Sequence, residues 1–242
     1  MDLPRIDGSR ILVTGANGGL GVEFVDQALA RGAERVYATT RTHRDWDDDR
    51  VVPIELDVDD PRAVERAADV AHDVTITVNN AGIASLEPLA TGDVDVLRRV
   101  VETNLWGALG VARAFAPVMA TNGGGTLVNV LSAASWAHRL GAYSVSKAAL
   151  WAATNVLRLE LAPSGVRVVG LHLGFTRTPM LTKYDVPMPP MGEAVDVVRS
   201  AYDQIEAGAL EVLADERSHT VRQTLALPLG QAYPELEHLG LL

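Results

Sequence analysis

A tyrosine and a lysine stand four residues apart in the segment GAYSVSKAAL, residues 141–150. Residues at this spacing share one face of a helix, so Lys147 can lie beside Tyr143. A free tyrosine has a pKa of about 10, and a neighbouring ammonium group lowers it by favouring the phenolate. The pair could therefore act as a general acid and base near neutral pH. Taken alone, the same spacing also fits a surface tyrosine beside a solvated lysine.

A glycine-rich segment, TGANGGLG at residues 14–21, lies between an apolar run and a stretch of helical periodicity. Gly15 allows a sharp turn off the strand, and Gly19 and Gly21 leave room for a pyrophosphate against the backbone. The free N–H groups and positive dipole end of the following helix favour an anion there. The segment predicts a dinucleotide site, with an ordinary tight turn as the alternative.

The end of the second predicted strand, ATTRT, bears on the choice of dinucleotide. A carboxylate at this place would bind both ribose hydroxyls of NAD and repel a 2′-phosphate. Here Thr40 takes that place and Arg41 follows, and a guanidinium suits a 2′-phosphate. We therefore predict NADP(H) in preference to NAD(H). A solvated Arg41 is the alternative, and the acidic run DWDDDR at residues 45–50 weakens the prediction.

Strand and helix patterns alternate along the chain. Predicted strands cover residues 10–15, 35–40, 51–58, 74–82, 125–132, 166–174 and 210–215. Predicted helices cover residues 17–32, 61–71, about 93–120, 143–161 and about 192–207. Because the strands are apolar throughout, they favour a parallel sheet that is buried on both faces. We therefore predict an α/β fold, a single-domain, Rossmann-type, doubly wound parallel sheet of about seven strands with helices on both faces.

We expect residues 1–242 to form one dinucleotide-binding and catalytic domain. The segment from about 176 to 192, which contains several prolines and methionines, is the predicted mobile substrate loop. The last segment, from about 215 to 242, has apolar spacing that suggests another helix and a short extension.

Composition narrows the classes of function. The net charge of −10 argues against nucleic acid and anionic membranes as main partners. The chain has no cysteine, which excludes disulfides, thiolate catalysis and cysteine-ligated metals. No apolar run reaches the roughly 20 residues of a membrane span, and the first residues lack the apolar core of a signal peptide. We therefore expect a soluble, cytoplasmic protein.

The six histidines show no metal-ligand spacing, so we predict no metal. We place His172 in the core as a satisfied histidine.

These motifs together resemble the classical short-chain dehydrogenase/reductase family from about residue 9 to about 180. The matching segments are TGANGGLG, LDV at 56–58, NNAG at 79–82, Asn104, Ser132 and YSVSK at 143–147. The resemblance implies that Asn104, Ser132, Tyr143 and Lys147 form a catalytic tetrad, in which the backbone of Asn104 binds a relay water. It implies a set of cofactor contacts at Gly15, Asn17, Gly19, Leu20, Gly21, Arg41, Asp57, Val58, Asn80, Ala81, Gly82, Tyr143, Lys147, Gly174 and Thr178.

The chain departs from the family at three places. Ser132 is about two residues closer to Tyr143 than is usual, which leaves Ser135 as another candidate. The intervening loop is expected to form a wall of the substrate pocket, with Trp136, His138 and Arg139 as candidate contacts or as packing residues. The residue before Gly174 is Leu173 rather than proline, and the family's glycine-rich C-terminal tail is missing. We therefore expect a homodimer formed through the helices near 104–120 and 143–161, with a homotetramer as the alternative.

These observations predict an NADP(H)-dependent oxidoreductase that interconverts a ketone or aldehyde and an alcohol. Tyr143 would be the general acid and base, Ser132 would hold the carbonyl oxygen, and the substrate would be a hydrophobic small molecule. A non-catalytic dinucleotide-binding sensor or scaffold is one alternative. An epimerase that uses the same fold and cofactor is another.

Overall fold

Short runs of buried apolar residues form the strands, as the sequence predicts. The computed structural model describes residues 3–182 and 189–239. Seven parallel strands form the main sheet: β1 (Arg10–Thr14), β2 (Arg35–Thr40), β3 (Val51–Glu55), β4 (Ile76–Asn79), β5 (Gly125–Val130), β6 (Val166–His172) and β9 (Glu211–Leu213). Two further strands, β7 (Thr176–Arg177) and β8 (Gly192–Glu193), pair with each other.

Helices cover both faces of the sheet. They are α1 (Leu20–Ala30), α2 (Pro61–Val70), α3 (Val94–Val101), α4 (Ala108–Thr121), α5 (Gly141–Leu161), α6 (Pro179–Thr182), α7 (Ala194–Glu206), α8 (Glu216–Thr224), α9 (Leu229–Ala232) and α10 (Glu235–His238). A π-helical stretch, Glu102–Gly107, joins α3 to α4. Short 3-10 turns occupy Ala133–Ser135 and Ala162–Ser164.

The strand order creates a crevice at the carboxyl ends of the strands. The order is β3-β2-β1-β4-β5-β6-β9, so the chain reverses its direction of winding between β1 and β4. Ligands of open α/β sheets bind at such a switch point, outside the carboxyl ends of the strands. The parallel, doubly wound fold predicted from the sequence is confirmed.

A separate apolar core fills each face of the sheet. On one face, α1 and α7 meet through Phe24 and Tyr202, whose rings pack edge to face with centroids 5.5 Å apart. The buried Tyr202 hydroxyl donates to the carbonyl of Phe24 at 2.8 Å, which satisfies its polar end. On the other face, Val64 of α2 and Phe115 of α4 pack against Leu127 of β5. Burial on both faces explains why the strands do not alternate between polar and apolar residues.

A buried chain of hydrogen bonds ties the central sheet to the helices beside the crevice. Asn79 donates to the Asn129 side chain at 2.9 Å and to the carbonyl of Ala108 at 3.0 Å. Asn129 donates in turn to the Thr154 hydroxyl of α5 at 2.9 Å. Buried amides that find such partners fix relative positions. The network therefore holds α4 and α5 in place over β4 and β5.

Some predicted boundaries change in the structure. The helix expected near 93–120 is α3, the π-helical stretch and α4 in succession, and α5 begins at Gly141 rather than 143. The C-terminal segment forms α8, α9 and α10 rather than one helix and an extension. Of the predicted substrate loop, residues 183–188 lie outside the described residues, and the rest contains β7, α6 and the start of β8.

Candidate active site

The glycine loop after β1 contains three positions at which only glycine fits without strain or overlap. Gly15 and Gly19 have φ values of 68° and 54°, in the left-handed region that favours glycine. A Cβ at Gly19 would lie 2.9 Å from the Thr178 methyl carbon, and a Cβ at Gly21 would overlap the carbonyl oxygen of Gly15. Gly21 therefore makes room for the loop's own backbone, whereas the sequence suggested room for a ligand.

The end of β4 is bonded to the same loop. The Thr14 hydroxyl accepts from the backbone N–H groups of Asn80 and Ala81, each at 3.0 Å. The Asn80 side chain donates to the carbonyls of Thr14 and Gly15 at 2.9 and 3.1 Å. Thr14 was not among the predicted site residues, although it is the first residue of the TGANGGLG segment. These bonds hold the loop against the central strand at the switch point.

A cavity of about 970 Å³ extends along the carboxyl ends of the strands. Most of the predicted site residues line it: Gly15, Asn17, Gly19, Leu20, Arg41, Asp57, Val58, Asn80, Ala81, Gly82, Ser132, Tyr143, Lys147, Gly174 and Thr178. The two that do not line it are Gly21, which packs beneath the loop, and Asn104, which lies behind Gly82. A cavity of this size suits a dinucleotide together with a small molecule.

Lys147 and Tyr143 lie together on the cavity wall, as their spacing predicts. The ammonium nitrogen of Lys147 lies 5.8 Å from the centre of the Tyr143 ring and donates to the carbonyl of Val130 at 2.7 Å. Lys147 is only 5% exposed, and burial lowers its pKa to about 8. At pH 7 most of the population therefore keeps the ammonium charge.

The pKa of Tyr143 moves in the direction opposite to the predicted one. Burial raises this pKa, and a hydrogen bond with Ser132 lowers it only in part. The expected lowering by Lys147 is therefore wrong for the chain by itself, because desolvation of the phenolate outweighs the favourable interactions. Tyr143 keeps its proton at neutral pH and can donate it.

Ser132 is better placed than Ser135 for a role in the cavity. Its backbone is extended, and its hydroxyl accepts from the N–H of Ala134 at 3.1 Å and interacts with Tyr143. Ser135 is buried away from the cavity, and its hydroxyl has no partner among the described residues. The short spacing between Ser132 and Tyr143 therefore reflects a trimmed loop.

Asn104 lies in the π-helical stretch and supports the wall from behind. It is 1% exposed; its amide nitrogen donates to the Ile83 carbonyl and the Ser146 hydroxyl, both at 2.9 Å, and its oxygen accepts from the Ile83 N–H at 2.8 Å. Ser146 also donates to the carbonyl of Tyr143 at 2.8 Å. The side chain of Asn104 thus links the strand end to the helix of Tyr143. Single-turn π-helical segments often occur at functional sites.

A histidine and a tryptophan lie behind Ser132. His172 is fully buried, its Nδ1 lies 3.2 Å from the Ser132 carbonyl, and its ring stacks on Trp136 with centroids 3.6 Å apart. Burial lowers the pKa of His172 to about 3, so the ring is neutral. Its Nε2 and the Trp136 Nε1 have no partner among the described residues, so His172 is only half satisfied. Trp136 does not line the cavity, which makes it a packing residue rather than the predicted substrate contact.

The C-terminal helices meet the loop that follows Ser132. Arg139 lines the cavity and forms a two-bond ion pair with Glu235 of α10, and its guanidinium lies 5.3 Å from the Tyr233 ring centre. The N–H of His138 donates to the Tyr233 hydroxyl at 3.4 Å, and the His138 side chain is outside the cavity. Of the three candidate contacts on this loop, only Arg139 reaches the cavity.

Sequence reasoning missed two residues near Gly174. The Asp215 carboxylate accepts from the N–H of Gly174 at 2.6 Å and from the N–H of Ser218 at 2.8 Å. Asp215 therefore caps the start of α8 and also holds Gly174 in place. The capping pattern from Asp215 to Ser218 could have been recognised in the sequence. Arg217, also in α8, lines the cavity.

Two arginines flank the other end of the cavity. Arg41 lines it, exposed, and no ion pair of the described residues engages it. Arg44, which the sequence analysis did not select, donates to the carbonyl of Asn17 at 3.4 Å and lies 4.2 Å from the Trp46 ring centre. Both guanidinium groups follow β2, where a ribose phosphate of a dinucleotide would lie.

The described part of the chain shows neither a cluster of metal-ligating side chains nor a membrane-spanning helix. No group of three or more histidine, aspartate or glutamate side chains is arranged there to hold a metal ion. No helix within residues 3–182 and 189–239 combines the length and apolar character needed to cross a membrane.

Known proteins share this fold and these motifs. A family model described as short chain dehydrogenase matches residues 9–187. A short chain dehydrogenase from Burkholderia cenocepacia J2315, solved in complex with NADP, is 35% identical, with a TM-score of 0.88 over 98% of this chain and 99% of that one. Carbonyl reductase (NADPH) 2 of Sus scrofa is 33% identical over 81% of this chain and 88% of its own length. The short-chain dehydrogenase cctT of Talaromyces islandicus is 34% identical over 69% of this chain, and the match covers 63% of the length of that relative. The chain therefore belongs to the classical short-chain dehydrogenase/reductase family.

Proposed function

We propose that this protein is an NADP(H)-dependent oxidoreductase that interconverts a ketone or aldehyde and the corresponding alcohol. One observation carries the proposal: Tyr143, Lys147 and Ser132 line the same cavity as the glycine loop. A proton donor and a dinucleotide cradle in one cavity are the two parts that carbonyl reduction needs.

The glycine loop fits the cofactor that the family uses. Side chains at Gly15 and Gly19 would strain the backbone, and a Cβ at Gly19 would also press on Thr178. The bare backbone there leaves room for a pyrophosphate at the start of α1. We propose that Asp57, Val58, Ala81 and Gly82 hold the adenosine part.

The preference for NADP(H) rests on charge near the end of β2. Thr40 stands where a ribose-binding carboxylate would exclude a 2′-phosphate, and Arg41 and Arg44 lie nearby. Arginine pairs well with phosphate because its planar group can donate two parallel hydrogen bonds. The Burkholderia relative in complex with NADP and the porcine carbonyl reductase (NADPH) 2 support the same choice.

The proposed chemistry assigns a separate task to each side chain. When bound, the reduced nicotinamide supplies a hydride to the carbonyl carbon. Tyr143 donates its phenolic proton to the carbonyl oxygen, so that the carbonyl becomes an alcohol. Ser132 holds that oxygen by a hydrogen bond, and Lys147 holds the cofactor ribose and then favours the phenolate. The raised pKa of Tyr143 leaves it protonated at neutral pH, the state that reduction requires.

Binding measurements test the cofactor and the reaction separately. The purified protein is titrated with NADPH and with NADH, and binding is followed by fluorescence. We expect NADPH to bind more tightly and Arg41→Ala to remove most of the difference, after which a panel of ketones and aldehydes is tested with that cofactor. Tighter binding of NADH would refute the argument from Arg41. Binding of NADPH without turnover of any carbonyl would favour a sensor, and isomerisation without net oxidation would favour an epimerase.

We also propose a homodimer that forms through α4, α5 and the π-helical stretch before α4. Four large apolar side chains on these elements are exposed, Trp106, Val145, Val156 and Leu159, with Leu159 the most exposed at 80%. An apolar surface of this kind is typical of an interface. Light scattering of the eluting protein measures its mass directly, and a monomer at micromolar concentration would contradict the proposal. The cytoplasmic location stays a prediction.

A further inference from the structure

The part of the cavity wall that comes from the chain after β9 contains an arginine that no ion pair of the described residues engages. Arg217 of α8 lines the cavity beside Gly174 and Phe175, and its guanidinium carbon lies 5.2 Å from the Phe175 ring centre. A Cβ built on Gly174 would lie 2.9 Å from the Cβ of Arg217. Arg217 is exposed, and its contact with the Phe175 ring keeps the guanidinium at the wall, where it can meet a ligand.

The charge of Arg217 is not balanced by the described residues. Arg139 is paired with Glu235 and Arg222 with Glu211, but no ion pair of this part of the chain engages Arg217. The neighbouring Asp215 carboxylate instead accepts from the backbone N–H groups of Gly174 and Ser218. Arg217 thus differs from the other arginines on and near α8.

The acidic residues of the cavity lie at its other end. Among the described lining residues they are Asp57 and Asp59, which follow β3. β3 and β9 are the two edge strands of the sheet. Six interstrand spacings of about 4.8 Å separate these edges, a distance well beyond an ion pair. Among the described lining residues, no carboxylate therefore lies near Arg217, and the neighbouring Asp215 carboxylate, which does not line the cavity, is bonded to two backbone N–H groups.

The surfaces near Arg217 are mainly apolar. Ala134, Ala137, Leu173 and Val221 are among the lining residues, Val221 of α8 packs with Ala137, and Leu173 directly precedes Gly174. An apolar wall with one planar cation fits a ligand with an apolar body and a carboxylate. Covering the guanidinium with a wholly apolar ligand would cost free energy, because the charge would lose its hydration and gain no hydrogen-bond partner.

We propose that Arg217 binds a carboxylate of the substrate, and that the substrate is an oxo acid or the matching hydroxy acid with an apolar body. This inference rests on the proposed function and narrows its substrate class. The carboxylate takes no part in the reaction: Arg217 orients the molecule so that the carbonyl faces Tyr143.

A binding experiment tests Arg217 without any turnover. Benzoate and benzamide have nearly the same shape but differ in charge, and each is titrated calorimetrically into the protein saturated with NADP⁺. Because NADP⁺ is saturating, its phosphates occupy their binding sites, and benzoate cannot bind there. We expect the wild type to bind benzoate about tenfold or more tightly than benzamide, and R217Q to lose this preference. R217K should keep part of it, because the charge remains while the planar fork is lost.

A matched control removes the same charge elsewhere. Arg62 of α2 is exposed and does not line the cavity, so R62Q should keep the full preference for benzoate. Equal binding of the two ligands by the wild type would overturn the proposal. So would a preference that is unchanged in R217Q, or equally reduced in R62Q. Equal weakening of both ligands in R217Q would assign Arg217 to holding Gly174 and would also overturn it.

Turnover separates this inference from the proposed function. The substrates are 4-acetylbenzoate and 4-acetylbenzamide, assayed with NADPH. We expect R217Q to lower kcat/KM about tenfold or more for the acid and to leave the amide nearly unchanged. If benzoate binding discriminates but no carbonyl is reduced, the proposed reaction fails while the anion site stands. If both compounds are reduced equally well by the wild type, the anion site fails while the reaction stands.

Discussion

The two ends of the cavity are built in different ways. The first wall, residues 14–21 and 79–82, presents a glycine-rich backbone that is held in place by hydrogen bonds of the Thr14 and Asn80 side chains. The second wall, residues 133–140 and 213–239, joins two segments far apart in the chain through side chains, such as Arg139 with Glu235 and Trp136 with Arg222. A backbone cradle suits a constant ligand, whereas side-chain contacts can change without altering the fold. This difference supports our proposal that the first wall holds the cofactor and that the second wall sets the specificity.

The largest expected effect comes from removing the proton donor between the two walls. Tyr143→Phe should lower kcat by about 10²- to 10⁴-fold, the usual contribution of general acid catalysis, with little change in NADPH affinity. Tyr233→Phe is the matched control in the second wall, because the Tyr233 hydroxyl accepts a hydrogen bond from the His138 N–H and does not line the cavity. Steady-state kinetics and cofactor titration measure both variants. Near-normal turnover by a folded Tyr143→Phe enzyme would refute the mechanism.

The next effect tests how rigid the first wall is. Gly21→Ala places a methyl group against the Gly15 carbonyl oxygen and should cost about 1–3 kcal/mol of unfolding free energy. NADPH binding should weaken as the loop shifts. Gly192→Ala is the control, since a Cβ there meets nothing within 4 Å. Urea unfolding and NADPH titration provide the measurements, and an unchanged affinity in Gly21→Ala would mean that the loop adapts.

A pH-dependent effect tests the support behind Ser132. Burial lowers the pKa of His172 from 6.5 to about 3, so below pH 6.5 the unfolded chain takes up a proton that the folded chain does not. His172 therefore has no effect on the pH dependence above pH 6.5 and destabilises the fold progressively as the pH falls from 6.5 towards 3. Unfolding in urea at pH 7.5 and 4.5 should show that the wild type loses about 3 kcal/mol more than His172→Leu. Parallel losses in the two proteins would show that His172 does not titrate in this way.

The smallest effect is expected at the edge of the second wall. Glu235→Gln breaks the ion pair with Arg139, in which both side chains are about half exposed. Exposed pairs add little to stability, so the unfolding transition should hardly move, and less still at high salt. The freed Arg139 should instead strengthen benzoate binding slightly, because it adds a second cation to the cavity. A large loss of stability would mean that α10 belongs to the core of the fold.

The sequence by itself determined the fold class and most of the first wall. Apolar strand runs, helical periodicity and the TGANGGLG segment are local patterns, and their physical causes act over a few residues. Lys147 and Tyr143 were predictable for the same reason, since helical spacing alone brings them together. The short distance in sequence between Ser132 and Tyr143 was visible, but the choice of Ser132 over Ser135 required the position of each hydroxyl.

Only the tertiary structure decided the second wall and the electrostatics. Arg217, Glu235 and Tyr233 reach the cavity region because β9 places the last helices beside the loop that follows Ser132, across about 80–100 residues of chain. The direction of the pKa shift of Tyr143 depends on how much of the phenol is buried, which spacing cannot reveal. The role of Gly21 likewise depends on which atoms meet it in the folded loop. Motifs depend on residues that are close in sequence, whereas burial and long-range contacts arise only when the whole chain packs.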